Sequence, residues 1–437
     1  MAIDTSFQDS ESWVIKGDEA NKNENFEEAI EYYANAISLN PRSAIAYFKR
    51  GNAYNSLNMF SNAVLDYNNS ATLDPDFSFV YFKRGCAYLE LHQFKNSVND
   101  LTKSVELNTE FPFAYFKRGV AYESLKKIDD AISDYTRAID LNPTFSPASL
   151  HRGNCYFEKK QFEDAIEDYS KVLTLDPNEE KAFISRGIAF GNLKKYTKAV
   201  EDYTKAIKIN GDSQLAYNYR GLVYNILKDF SKAIDDFSVV VRMNPTMAEA
   251  FNNRGIAYFS LKNFTRAITD YDKALEINPK AKTVYFNRGN AYFNLRHYIK
   301  AIENYDKALE MDNDMFLASF ARGNAYMNTG NLRNAIRDFT HSVTINPRFL
   351  QAYLGRANAF MKMKYFSKAL EDYTIAITLS PDQAQLYIAR GIAFRSYKRY
   401  RDALADFNEY LRLSARNEPL ANKVRAWIRK MGFVPEY

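Results

Sequence analysis

Residues 46–51 read AYFKRG, residues 80–85 read VYFKRG, and residues 114–119 read AYFKRG again. The interval is thirty-four residues, and the arginine keeps it. Arg50, Arg84, Arg118, Arg152, Arg186, Arg220, Arg254, Arg288, Arg322, Arg356 and Arg390 follow one another at that spacing with no insertion or deletion. One step before Arg50 stands Lys16, followed by Gly17 as most of the arginines are followed by glycine. Length alone would suggest about three globular domains. The strict period instead predicts twelve repeats over 10–417 and a short segment after them, 418–437.

With the arginine numbered 7 in each repeat, apolar or small residues recur at 3, 4, 8, 10, 11 and 14, and again at 17, 20, 21, 24, 27, 28 and 30. Both stripes have helical spacing. Between them, Lys, Asn or Gly crowd positions 15 and 16, as in Lys126 and Lys127 or Gly330 and Asn331. Each repeat therefore reads helix A, turn, helix B. Proline at position 32 in eight repeats, from Pro41 and Pro75 to Pro381, ends helix B and opens the next connection. No stretch alternates as a strand does.

The recurrent residues have packing reasons. Glycine fills position 8 in eleven of twelve repeats and alanine position 20 in eleven, which predicts a close approach of A and B. Positions 4, 11, 17 and 24 hold 42 of the 66 aromatic residues, so the aromatic content reads as interior filling rather than as surfaces for stacking nucleobases. Position 23 is Asp in ten of the eleven repeats that carry the arginine; Asn304 is the exception. Position 7 precedes the turn by as much as 23 follows it. Folding the hairpin sets the two level, and predicts ion pairs of the Arg118–Asp134 type, shared with the next repeat.

The charge balance is mild, 58 basic against 53 acidic residues for a net +5, with the signs interspersed. No polybasic arm or acidic tail announces a partner. The N-terminal MAIDTSFQDSES has neither the basic nor the apolar segment of a secretory signal, and no apolar run reaches the length of a membrane span. A soluble, cytoplasmic chain with reduced Cys86 and Cys155 is expected. His92 and His297 fall in turns, His341 on the outer face of a B helix and His151 on an A helix, so no metal cluster, cofactor site or catalytic residue is assigned.

Bulky 4, Gly 8, Tyr 11, Ala 20, Phe or Tyr 24, a small 27 and Pro 32 at a period of thirty-four resemble the tetratricopeptide repeat. The resemblance covers nearly the whole chain. It implies an all-α solenoid, a right-handed superhelix of antiparallel helix pairs whose A helices line a concave groove. The arginine at position 7 departs from the family, where leucine is frequent. Both ends read as caps: Glu19 and Asn23 replace apolar residues of the first repeat, and Leu420, Val424, Trp427, Ile428 and Met431 form one helical stripe at the other end.

The resemblance also implies a protein–protein interaction scaffold that binds an extended peptide segment in the groove. Positions 2, 5, 6, 9, 12 and 13 share the face opposite the core. They bring forward Phe48, Lys49, Asn52, Phe82, Lys83, Phe116 and Lys117 near one end, and Asn252, Asn253, Phe286, Asn287, Asn290, Asn324 and Asn358 towards the other. Asparagine both donates and accepts, so a row of them suits a peptide backbone, partly as in the family's sugar-transferase arrays. The Lys and Phe strip favours an acidic, apolar segment. The phenylalanines equally suit packing between successive A helices. Position 5 is never Lys and position 6 never Arg, so the family's carboxylate clamp for chaperone tails is absent. The alternatives are single-stranded RNA along the lysines and phenylalanines, and a targeting array for a separate catalytic partner.

Overall fold

A computed structural model describes residues 5–414 and 419–436, and among them it forms twenty-five α-helices and no strand. Helix α1 (Thr5–Lys22) pairs with α2 (Phe26–Leu39), and the second repeat shows the pattern that follows. There α3 (Ala44–Ser56) occupies positions 1–13 and α4 (Phe60–Leu73) positions 17–30. By their contacts the helices gather into two compact halves, Met1–Val223 and Tyr224–Tyr437. Within each half, an A helix packs on its own B helix, and that B helix on the next A helix. The expected boundary at 417 and 418 lies outside the described residues.

Local chemistry sets the two kinds of connection. Position 15 takes a left-handed conformation: Lys126, Lys160, Lys194, Lys228, Lys262, Lys364 and Lys398 have φ between 59° and 62°, and Gly330 has φ +79°. The polar pair seen in the sequence is thus the left-handed residue that closes helix A, as Asn58 does by donating to the Asn55 carbonyl at 3.0 Å. At the other connection, the Asn or Asp that ends helix B accepts from the backbone N–H two residues on. Asn40, Asp74, Asn108, Asn142, Asp176, Asn210, Asn244, Asn278, Asp312 and Asn346 all do so, at 2.9–3.3 Å. Position 31 therefore makes the turn, with the proline beside it.

The core is built around position 24. Tyr67, Tyr135, Tyr169, Tyr203 and Tyr305 are almost wholly buried, as are Phe237 and Phe339. Glycine at position 8 makes room for that ring. A β-carbon on Gly119 would stand 2.6 Å from the Tyr135 ring, and one on Gly51 2.7 Å from that of Tyr67. Helices A and B thus approach closely, as the glycine and alanine predict, and the group that fills the space left by the glycine is the aromatic. Where alanine gives way to Ser97, the hydroxyl donates to the Gly85 carbonyl at 2.8 Å, so no polar atom is stranded.

The arginine–aspartate ladder is present. Arg118 spans both carboxylate oxygens of Asp134 with Nε at 2.8 Å and Nη2 at 2.7 Å. The same fork joins Arg50 to Asp66, Arg84 to Asp100, Arg152 to Asp168, Arg186 to Asp202, Arg254 to Asp270, Arg322 to Asp338, Arg356 to Asp372 and Arg390 to Asp406. The remaining Nη1 reaches back to position 25 of the preceding repeat: Arg152 to Thr136 at 2.9 Å, Arg186 to Ser170 at 2.9 Å. From Arg84 onward the guanidinium thus fastens its own hairpin and ties it to the helix before.

Two repeats depart from the rule together. Arg288 finds Asn304 instead of Asp, and the missing charge returns at position 25, where Asp272 meets its Nη1. The next arginine, Arg322, has both Asp338 and Asp306. Burial pushes the carboxyls of Asp100, Asp134, Asp372 and Asp406 upward, against the pull of their arginines. Desolvation therefore offsets much of the attraction, and the pairs weigh most when one partner is lost.

The ends differ from the middle as expected. Glu19 and Asn23 of the first repeat are exposed, whereas Ala53, which corresponds to Glu19, is buried. Lys16 lies over the Trp13 ring at 4.3 Å instead of joining the ladder. At the other end α25 (Pro419–Lys430) lays Ala421, Val424 and Ile428 on Tyr410 and Leu411 of α24 (Tyr400–Leu413). Trp427 packs on Phe407 under the Arg395 guanidinium, 4.5 Å from its ring. No described helix is long and apolar enough to cross a membrane.

Three outcomes follow for stability, all read by urea unfolding of the whole chain. Asp134→Ala, which leaves Arg118 half-buried without its carboxylate, costs about 3–5 kcal/mol. Asp272→Ala strips Arg288 of its carboxylate and costs about 1–3 kcal/mol, more than Asp306→Ala, where Asp338 still holds Arg322; equal costs would mean the arginines do not need the charge. In the turns, Gly330→Ala costs about 1 kcal/mol because alanine resists a positive φ. Gly211→Ala, at a turn with no such φ, is the neutral control.

Candidate functional site

The A helices carry the face predicted from the heptad-free spacing of positions 2, 5, 6, 9, 12 and 13. Its exposure is graded. Position 2 is open, with Ile45, Phe79, Phe113 and Leu317 each 43–47% exposed, while positions 5, 6 and 9 are mostly half-buried between neighbouring helices. This grading follows from the stacking of A helices side by side, which turns the phenylalanines at position 5 towards adjoining rings.

The five phenylalanines at position 5 act first as packing. Phe48 meets Phe77 edge-on at 4.7 Å, Phe82 meets Phe111 at 4.8 Å, and Phe116 meets Phe145 at 5.1 Å. Phe286 and Phe320 lean on the position 24 rings Tyr305 and Phe339 at 6.0 and 5.8 Å. The sequence reading missed the rings that continue this contact outward. Phe79 touches Phe111 at 5.1 Å and Phe113 touches Phe145 at 5.0 Å, so an aromatic ribbon with two exposed members runs over the third and fourth repeats. The signal was there, as phenylalanine at position 34 directly before helix A.

The three lysines are not equivalent. Lys49 pairs with Asp18 and is removed from the strip. Among the described residues Lys83 and Lys117 make no ion pair, and Lys117 lies 5.9 Å from the Phe116 ring centre. Cys86 stands near both. Its thiol is pushed up by burial to about 11 even though Lys117 and Lys83 pull the other way, so it stays protonated and makes a poor nucleophile.

The asparagines divide into three groups. Asn52, Asn290 and Asn358, with Asn154, each accept at Oδ1 from the position 24 tyrosine of their own repeat: Tyr67, Tyr305, Tyr373 and Tyr169, at 2.7–2.8 Å. Among the described residues their Nδ2 groups remain free to donate. Asn252, Asn253 and Asn287 instead bond to one another, Asn287 Nδ2 to Asn252 Oδ1 at 3.0 Å and Asn252 Nδ2 to Asn253 Oδ1 at 3.4 Å. Asn253 is only 8% exposed, so it faces the stack and offers a partner little surface. Asn324 stands apart, and neither end of its amide is hydrogen-bonded among the described residues. A continuous amide row is therefore not what the fold presents.

Notches open between successive A helices at equivalent places. One of about 230 Å³ lies between α17 (Lys282–Asn294) and α19 (Phe316–Asn328), walled by Phe286, Phe293, Tyr305, Leu317 and Phe320, with Asn290 and Asn324. Another of about 160 Å³ lies between α15 (Ala248–Ser260) and α17, lined by Ile256, Phe259, Tyr271, Asn287 and Asn290. In the first half, Asn154, Phe157, Tyr169, Ser185 and Ile188 line a third of about 270 Å³. These walls are positions 9, 12 and 24 of one repeat and 6 and 9 of the next. A tyrosine thought to be purely core thus also floors the face.

One junction is built differently. Tyr135 donates to Glu123 at 2.7 Å and His151 Nδ1 lies 3.0 Å from the same carboxylate oxygen. Burial pushes the Glu123 carboxyl up, but the bonds from His151 and Tyr135 outweigh it and hold it below the ordinary value of 4.5. Glu123 is therefore committed to the fold and does not face the lysine strip. Among the described residues no three potential ligands converge as a metal site. His341 is bonded to the buried Ser319 at 2.9 Å and to Asn313 at 3.2 Å.

Paired antiparallel helices of fixed length, repeated with one apolar seam, define a repeat scaffold. Sequence profiles of the tetratricopeptide repeat match residues 17–58, 44–77, 80–111, 112–145, 147–179, 180–213, 248–281, 283–315, 318–349 and 354–418. The chain belongs to the tetratricopeptide repeat family, whose architecture supports a protein–protein interaction scaffold. No curated protein matches the sequence significantly. Among solved structures, YrrB, described as a TPR protein with an unusual peptide-binding site, is 25% identical with a TM-score of 0.39, over 42% of this chain and 95% of its own. The APC/C hetero-tetramer Cut9–Hcn1 is 14% identical with a TM-score of 0.44, over 95% of both chains. Yeast Tom70 is 16% identical with a TM-score of 0.39, over 95% of this chain and 98% of its own.

A carboxylate whose folded value is depressed contributes stability above its unfolded value and loses it as pH falls. Glu123→Gln should therefore cost stability at pH 7 and little near pH 3. Thermal melts of both proteins across that range should converge at the acid end; parallel curves would mean that the Glu123 charge is not used.

Proposed function

We propose that the A-helix face is a groove for an extended peptide segment of a partner protein, and that residues 10–417 form the binding array of twelve repeats, with 418–437 as its terminal cap. The observation that carries this reading is the repeated notch, apolar in its walls and edged by amides, at the same positions in repeat after repeat. An extended chain satisfies such a surface: its side chains enter the notches and its backbone meets the amides.

The first half favours acid beside bulk. Lys83 and Lys117 stand unpaired next to the ribbon of Phe79, Phe82, Phe113 and Phe116, with Phe48 and Asn52 at its edge. A segment alternating acidic and large apolar residues would place carboxylates by the lysines and side chains on the rings. In the second half Asn252, Phe286, Asn287, Asn290, Asn324 and Asn358 are the contacts of choice; Asn253 is left out because it is buried. The two lysines beside the aromatic ribbon are few for a phosphate backbone, which favours peptide over single-stranded RNA at that strip.

The test is binding to synthetic peptides that alternate acidic and bulky apolar residues. Lys83→Glu with Lys117→Glu should weaken them roughly tenfold or more by repulsion. Lys423→Glu with Arg429→Glu, on exposed sites of α25, should not. Equal affinity in both double variants would remove the basic strip from the site. An oligouridylate that bound more tightly than the peptides, with an affinity falling steeply from roughly 50 to 200 mM salt, would transfer the groove to RNA.

A further inference from the structure

Of the five asparagines at position 9, four are held at Oδ1 by a tyrosine hydroxyl. The fifth, Asn324, belongs to a repeat whose position 24 is Phe339, and the lost hydroxyl leaves its carbonyl oxygen as well as its NH2 without a partner among the described residues. This amide edges the notch of about 230 Å³ between α17 and α19. Position 6 there is Ala321, where other repeats carry lysine, histidine or tyrosine, so the mouth is open. The space is below the roughly 300–1,000 Å³ of a site for a drug-sized ligand and suits a single large side chain.

The neighbouring notch between α15 and α17 shares Asn290 with it. Adjacent packed helices lie roughly 8–10 Å apart. A polyproline II segment advances about 3.1 Å per residue with three residues per turn, so side chains at i and i+3 point the same way about 9 Å apart. A β-strand does not match: its side chains repeat on one face every two residues, at about 6.6 Å. Notches that recur at about that helix separation match the first conformation.

We infer that these two notches form a clamp for a polyproline II-like peptide with bulky apolar residues at i and i+3, in which Asn324 bonds the peptide N–H and C=O beside the residue in the larger notch. This rests on the groove reading above and names the ligand of its second half. The Asn290 Nδ2, on the ridge between the notches, is placed to donate to a backbone carbonyl between the two anchors. Large side chains fit because Phe286, Phe293 and Phe320 supply the walls. An unpaired amide at an apolar mouth favours a backbone over a purely aliphatic ligand, since leaving it dry and unbonded would weaken binding.

The experiment is selection of displayed random peptides on the full chain, followed by affinities of the enriched peptide made synthetically. Enrichment of two bulky apolar residues three positions apart, with proline tolerated between them, is expected. Phe339→Tyr restores the hydroxyl that four other repeats already accommodate; it should leave the thermal unfolding unchanged and weaken the peptide roughly three- to tenfold by engaging Asn324. Ala321→Trp fills the larger notch and should weaken it roughly tenfold or more. Apolar residues spaced by two, or affinities untouched by both variants, overturn the clamp. If the enriched peptide then responds to Lys83→Glu with Lys117→Glu alone, the groove reading stands without the clamp. No enriched peptide, or none sensitive to any of these changes, overturns both.

Discussion

From the second repeat onward the register is held by one guanidinium per repeat. Arginine has five donors in a rigid plane, and here two of them fork onto the aspartate sixteen residues later while a third crosses to the preceding repeat. A single residue gained or lost between position 7 and position 23 would rotate the aspartate about a hundred degrees away on its helix. The unbroken period of thirty-four residues is the mark of that constraint. Apolar packing supplies the driving force, but a seam of similar rings would tolerate several alignments; a bidentate pair tolerates one. Because burial raises the aspartate carboxyls against their arginines, the ladder's contribution lies more in alignment than in net stability.

The same economy shapes the outer face of the A helices. Glycine at 8 lets the ring at 24 pass under helix A, and the hydroxyl of that ring emerges on the far side, where it orients the asparagine at 9. Core and surface are thus joined through one side chain. A change at position 24 from tyrosine to phenylalanine leaves the packing intact and alters only what an asparagine on the outer face has left to bond. On the proposed groove reading, recognition would be tuned from beneath, without touching the exposed residues.

Much of this was legible in the sequence because it repeats. Helix limits, the Arg and Asp pairs, the wetted first repeat and the stripe of α25 all followed from periodicity and charge. What remained hidden depended on rotamers and on contacts across repeats. Nothing in the letters at position 6 says that Lys49 turns to Asp18 while Lys83 stays open, or that Asn253 faces inward. Phenylalanine at position 5 reads alike whether it packs or binds, and only the ring at position 34 decides how much of it is covered. The ring that fills the space left by the glycine at 8 was not legible, because spacing gives a neighbour's distance along the axis and not which side chain fills the gap.

The charge that Arg288 requires is stored in the repeat before it, on Asp272, while its own repeat supplies Asp306 to the repeat after. Elsewhere a repeat carries its own acid and is in that sense portable. Here it is not. Unequal crossing-over that deleted or duplicated one copy at this point would leave an arginine without its counterion or bring two acids to one arginine, so this stretch is expected to be inherited as a block while copies elsewhere come and go. For anyone shortening or splicing the array, the joints flanking this block are the ones to leave uncut.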